Sequence, residues 1–123
     1  MNASIAALLV SATVVAFVPS RSAQIELACE SGCVSADSVL VANAIKAGLS
    51  RHGVTVTQQT HGRELPLLVT GRISVQGDTV RVAAEFLELQ KEISRYTVRT
   101  PRTELSAQVQ KMGERFGRAA IRP

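Results

Sequence analysis

Two cysteines, two histidines and a set of arginines are the side chains of this 123-residue chain whose types and spacing could do chemistry. Cys29 and Cys33 lie in the segment CESGC, with Gly32 next to the second. Three residues separate them, where a redox-active pair has two at the start of a helix, so the expected product is a structural disulfide. Closing so short a loop contributes about 2 kcal/mol in the chain-entropy model. His52 and His61 could join the cysteines in a four-ligand zinc site, but the spacing matches no compact finger and a disulfide uses the two thiols better. Ser35, Asp37 and His52 have the residue types of a hydrolase triad, yet no nucleophile elbow surrounds the serine, and Ser35 and Asp37 suit the first turn of a helix. Glu85 and Glu88 sit among arginines, where surface pairing is expected. The sequence therefore assigns no catalytic, cofactor-binding or metal-ligating residue, and a protein that is not an enzyme is expected.

The arginines carry more. Strand periodicity places Arg72, Arg81, Arg95 and Arg99 on one side, away from Val69, Ile73, Val80, Val82, Tyr96 and Val98. From residue 91 to the end, eight Lys and Arg stand against three Asp and Glu, within an overall excess of 14 over 10. Such a surface suits nucleic acid, anionic lipid or an acidic protein. A sheet that binds single strands needs exposed rings for stacking, and Phe86, Tyr96 and Phe116 all fall on inward positions. The expected partner-binding surface is the four-arginine face and the expected partner an acidic protein, not nucleic acid. Failing that, the free edge of the first or last strand is the expected contact.

Elements able to hold that face follow in order. A short strand is expected over residues 24–29, then a helix from Ser35 or Asp37 whose Val41, Ile45 and Leu49 recur at helical spacing beside Ala44 and Gly48. A second strand starts at Val54, and residues 60–64 read as a polar loop. Residues 67–76 and 79–86 alternate as the arms of a β-hairpin about Gly77-Asp78. A turn over residues 90–92 leads to a further strand over 93–99. Thr100 is placed to cap a last helix with Pro101 at its first position, and Leu105, Val109, Met112, Phe116 and Ala119 or Ala120 form its apolar stripe. The expected fold class is α+β, in the order β-α-β-β-β-β-α, a mainly antiparallel sheet with two helices packed on one face.

The N-terminal run over residues 3–18 contains only Ser4, Ser11 and Thr13 as polar residues. As a helix it reaches about 24 Å, short of the roughly 30 Å hydrocarbon core, which reads as a secretory signal more readily than as a span. The expected organisation is a signal peptide over 1–22, cut after Ser22, and one domain over 23–123, exported to the periplasm. An uncleaved anchor is one alternative, with membrane association. A lipoprotein is another, because Leu27 and Ala28 precede Cys29 much as in a lipobox, although Glu26 sits where an apolar residue belongs. With 46% hydrophobic and 20% charged residues the chain is not disordered, and it is too short for more than one core.

The segments LVTGRISVQGDTVRVAAEFLEL, ISRYTVRT and TELSAQVQKMGERFGRAAI resemble the N-terminal α/β domain of TolB-like periplasmic proteins and the related curli-secretion and envelope-assembly modules. Val69, Gly71, Ile73, Gly77, Asp78, Val80, Arg81 and Val82 match that family's hairpin pattern in order, and the likeness runs over residues 39–121. The family often has an extra helix before the hairpin, where this chain offers only residues 60–66. The resemblance implies a periplasmic, non-catalytic, protein-binding module, an accessory of an envelope, secretion or conjugal-transfer apparatus. An outer-membrane lipoprotein or anchored factor, and a small periplasmic enzyme or metal carrier, are the alternative readings.

Overall fold

The structure, a computed structural model, describes residues 21–57 and 67–121. Five strands, β1 (Arg21–Ser31), β2 (Val54–Val56), β3 (Leu67–Gln76), β4 (Thr79–Glu88) and β5 (Lys91–Pro101), form one sheet with two helices, α1 (Ser35–Ser50) and α2 (Leu105–Ala120). The α+β class and the element order are those read from periodicity. The sheet order is β2-β1-β3-β4-β5. The antiparallel part is the meander β3-β4-β5, and β1 joins it parallel to both β3 and β2. The first strand is thus central, and the edges of the sheet are β2 and β5. β2 covers only Arg21–Ala23 of β1, so among the described residues the rest of that side of β1 has no partner strand.

The side chains on one face of the sheet explain why both helices cover it. Val69, Ile73, Val80, Val82, Ala84 and Phe86 are buried against Val41, Ile45 and Leu49 of α1 and Leu105, Val109, Met112 and Phe116 of α2. Phe86 and Phe116 stack at 5.3 Å between centroids. The helices run alongside each other in the same direction, and at Gly48 and Gly113 their backbones touch. A Cβ at Gly48 would collide with the Gln110 carbonyl, and one at Gly113 with the Ile45 carbonyl. Only glycine allows that close approach.

Two clamps close the ends of this layer. At the helix starts, buried Asp37 (3% exposed) accepts the Val34 N–H at 3.0 Å and pairs with Arg102 from the 3-10 turn that precedes α2. At the helix ends, Arg21 donates to the last-turn carbonyl of Ala120 and pairs with Glu88 at 2.9 Å. A cation there also faces the negative pole of the helix.

Three boundaries differ from expectation. Thr100 does not cap α2: it lies buried in β5, its hydroxyl donating to the Pro101 carbonyl at 3.3 Å. Pairing with β4 carries β5 on to Pro101, opposite Thr79, and the missing N–H of proline is tolerated on an edge strand. The turn into β5 is Leu89-Gln90 rather than 90–92. β1 runs from Arg21 to Ser31 rather than over 24–29, its first rungs pairing Arg21 with Val54 and Ser22 with Thr55. The apolar run over 3–18 and the loop over 60–64, with His61, lie outside the described residues.

Candidate functional site: the open face of the sheet

The face of the sheet opposite the helices is uncovered. It forms a shallow trough of about 570 Å³ with small residues, Ala28, Thr70 and Ala83, in its floor and charged side chains along its sides. All four arginines singled out by periodicity, Arg72, Arg81, Arg95 and Arg99, are exposed here, because each follows the outward phase of its strand. The same pleat turns Phe86 inward, and it puts Tyr96 on the helix side, where the Arg115 guanidinium lies 5.3 Å from its ring centroid. Among the described residues, no aromatic ring lies on the open face.

Register decides what the arginines meet. One row across the sheet reads Glu26, Thr70, Glu85, Arg95; the next reads Ala28, Arg72, Ala83, Thr97; a third reads Ser74, Arg81, Arg99. Arg95 lies within 3.7 Å of Glu85 and donates to Glu92 at 2.8 Å. Those bonds to Glu92, reinforced by the charges of Glu92 and Glu85, raise the pKa of a group already protonated at any ordinary pH. Arg72 reaches Glu30 at 3.6 Å. Exposed pairs of this kind contribute at most about 1 kcal/mol, but they neutralise two of the four cations.

Arg81 and Arg99 are different. They stand directly opposite each other on β4 and β5, and neither makes an ion pair with a described residue. Directly opposed like charges are mildly destabilising in a sheet. The four-arginine face is therefore not uniformly basic. Its free positive charge gathers at one corner, and Glu26 and Glu85 make the opposite side of the trough acidic. Sequence reasoning missed Glu26 and Glu30, since only the parallel pairing of β1 with β3 brings them onto this face.

The other candidate chemistries are separated by the fold. Cys29 and Cys33 are bonded to each other with Cα atoms 6.0 Å apart, at the end of the sheet where α1 begins. His52 lies beyond the far end of α1, about 24 Å along a sixteen-residue helix from Ser35 and Asp37, and packs over Gly117. Asp37 is occupied by Val34 and Arg102. Among the described residues no cluster of three or more His, Cys, Asp or Glu could hold a metal ion.

No protein-family model matches the chain, and no curated protein matches it in sequence. Solved structures share the fold. The chain is similar to a PelC variant in a dodecamer from Paraburkholderia phytofirmans, with a TM-score of 0.59 and 13% identity over 85% of this chain and 88% of that one. It is similar to the lipoprotein GNA1162 from Neisseria meningitidis, with a TM-score of 0.55 and 14% identity over 76% of this chain and 96% of that one. Its likeness to TolB from Acinetobacter baumannii, with a TM-score of 0.54 and 13% identity, covers 83% of this chain but only 27% of that protein. At such identities the likeness is one of fold, and the fold of the chain is TolB-like.

Proposed function

We propose that this chain is an exported, non-catalytic module of the cell envelope that binds an acidic protein partner on the open face of its sheet, as an accessory component of an envelope, secretion or conjugal-transfer apparatus. The observation that carries the reading is the Arg81–Arg99 corner: two exposed cations placed opposite each other, neither paired with a described carboxylate, on a face where Arg72 and Arg95 are paired. Mutual repulsion there is a small cost that an acidic partner relieves. The aromatic-free face gives a nucleic acid no stacking platform. Export is supported by the apolar run over residues 3–18 and by the disulfide, which belongs to an oxidising compartment. Structural neighbours that include TolB and a lipoprotein support an envelope setting.

One physical argument weighs against lipidation at Cys29. That modification would make Cys29 the first residue and remove Arg21–Ala28, most of the central strand, together with the Arg21 clamp. An anchored form of this fold would be held through the segment before Arg21 instead.

The test is the double charge reversal Arg81→Glu, Arg99→Glu. The melting temperature should stay nearly unchanged, because both side chains are exposed and neither is paired with a described residue. Association with the partner recovered from envelope extract should slow and lose its salt dependence. Recovery of the same partner at the same rate would exclude this face and move the contact to the free edge of β2 or β5.

A further inference from the structure

Among the described residues, the large apolar side chains that remain exposed fall into two groups. Val34, Val39 and Leu40 lie at the start of α1, while Leu89, Ile93 and Ile121 belong to the opposite end of the molecule, where β1 starts and both helices stop. The second group is held together by geometry. Arg21 grips Glu88 with one nitrogen and the Ala120 carbonyl with another, and Leu89 and Ile121 are the residues that follow those two partners. Leu89 is 74% exposed and Ile121 55% exposed. Leu87 and Leu68, half-buried and paired across β3 and β4, continue the patch onto the open face.

Leu89 is also held against its own preference. It and Gln90 form the β4–β5 turn with φ of 52° and 67°, the left-handed region that costs a residue with a Cβ about 1–2 kcal/mol. Turns of this shape favour Asn-Gly or Asp-Gly. Here the fold accepts backbone strain and, in addition, presents a leucine to water at the tip. Lys91, two residues after Leu89, and Arg118, in the last turn of α2 three residues before Ile121, belong to the same end, both exposed and neither paired with a described carboxylate. The chain continues from Arg21 at this same end into the 16-residue apolar run over 3–18.

We infer that this end of the domain, with Leu89 and Ile121 at its apolar tip and Lys91 and Arg118 beside it, is a docking surface for an anionic lipid bilayer. Leucine and isoleucine side chains enter the boundary between headgroups and acyl chains, and lysine and arginine stay at the level of the lipid phosphates. Arg21, where the described chain starts, lies at this end, so a chain that retains the run and a chain that has lost it can present the same end to the membrane. The trough and its Arg81–Arg99 corner then stand to the side, open to a partner. The inference needs a membrane surface but not that partner, and it stands if the sheet-face reading fails.

The chain contains no tryptophan, so a single one placed at the tip reports on its surroundings. Full-length Leu89→Trp, and separately Ile121→Trp, would be mixed with vesicles of phosphatidylcholine alone or with phosphatidylglycerol, some carrying brominated acyl chains. Both reporters should shift to the blue and be quenched by bromine in the anionic vesicles, with a weaker response in the neutral ones. The control Val39→Trp, on α1, should be unaffected, and Lys91→Glu with Arg118→Glu should reduce the response at position 89. Equal quenching at 39 and 89 would overturn the proposal by showing no preferred end. A reporter that ignores vesicles and shifts only with envelope protein would also overturn it, in favour of a protein contact.

Discussion

The two hairpin turns of the meander solve the same problem with opposite chemistry. Between β3 and β4 the turn is Gly77-Asp78, with the glycine at φ 61° and a polar residue after it. No described atom lies near where a Cβ of Gly77 would be, so glycine is there for backbone freedom alone. Between β4 and β5 the turn is Leu89-Gln90, where two residues with side chains take left-handed conformations and one of them is a leucine in water. The ends of the molecule that carry these turns differ in the same sense. The Gly77 end is closed by the disulfide and by buried Asp37 with half-exposed Arg102, whereas the Leu89 end is tied by half-buried Arg21; apolar side chains are exposed at both, but only at the Leu89 end does one sit on a strained turn. One end is built for holding, and the other keeps features that cost stability.

That contrast can be broken or sharpened, and the core that serves both ends sets the scale. Phe116→Ala should cost roughly 3–5 kcal/mol in urea unfolding, because it removes a fully buried ring stacked on Phe86. Asp37→Ala should cost about 2–3 kcal/mol, since it strips the Val34 N–H and Arg102 of their shared acceptor; the value sits below that for a fully buried pair because Arg102 is half exposed. Opening the Cys29–Cys33 bridge, by reduction or by Cys29→Ser with Cys33→Ser, should lower stability by about 2 kcal/mol, read as a drop in the urea midpoint. The smallest pair is the most diagnostic. Gly77→Ala should lose about 1 kcal/mol, and Leu89→Gly should gain up to about 1 kcal/mol, through relief of the same backbone strain in opposite directions. If both turns lose stability, Leu89 is packed for the fold's own benefit and the difference between the ends disappears.

Much of the architecture was legible because it is local. Alternation in residues 67–86 set out the first hairpin and its inner face, and the spacing of Leu105, Val109, Met112 and Phe116 set out the buried stripe of α2. Each needs only the repeat of one element against one apolar layer. The outward phase of Arg72, Arg81, Arg95 and Arg99 follows from the same repeat. The closeness of Cys29 to Cys33 is allowed by their short separation and made by the turn at Gly32, φ 73°.

What the tertiary structure alone decided is which elements become neighbours. Periodicity assigns β1 an inner and an outer face but not a place in the sheet, and only the crossover through α1 puts it at the centre, parallel to β2 and β3. That placement brings Glu26 and Glu30 beside the arginines and leaves Arg81 and Arg99 as the unneutralised pair. It also carries Arg21, which composition assigned to an export segment, to Glu88 and Ala120, and carries Asp37, expected to serve its own helix only, to Arg102 as well. A residue's own face is a property of short-range backbone geometry, whereas register and long-range pairing depend on the whole core choosing one arrangement, so no window of sequence contains them.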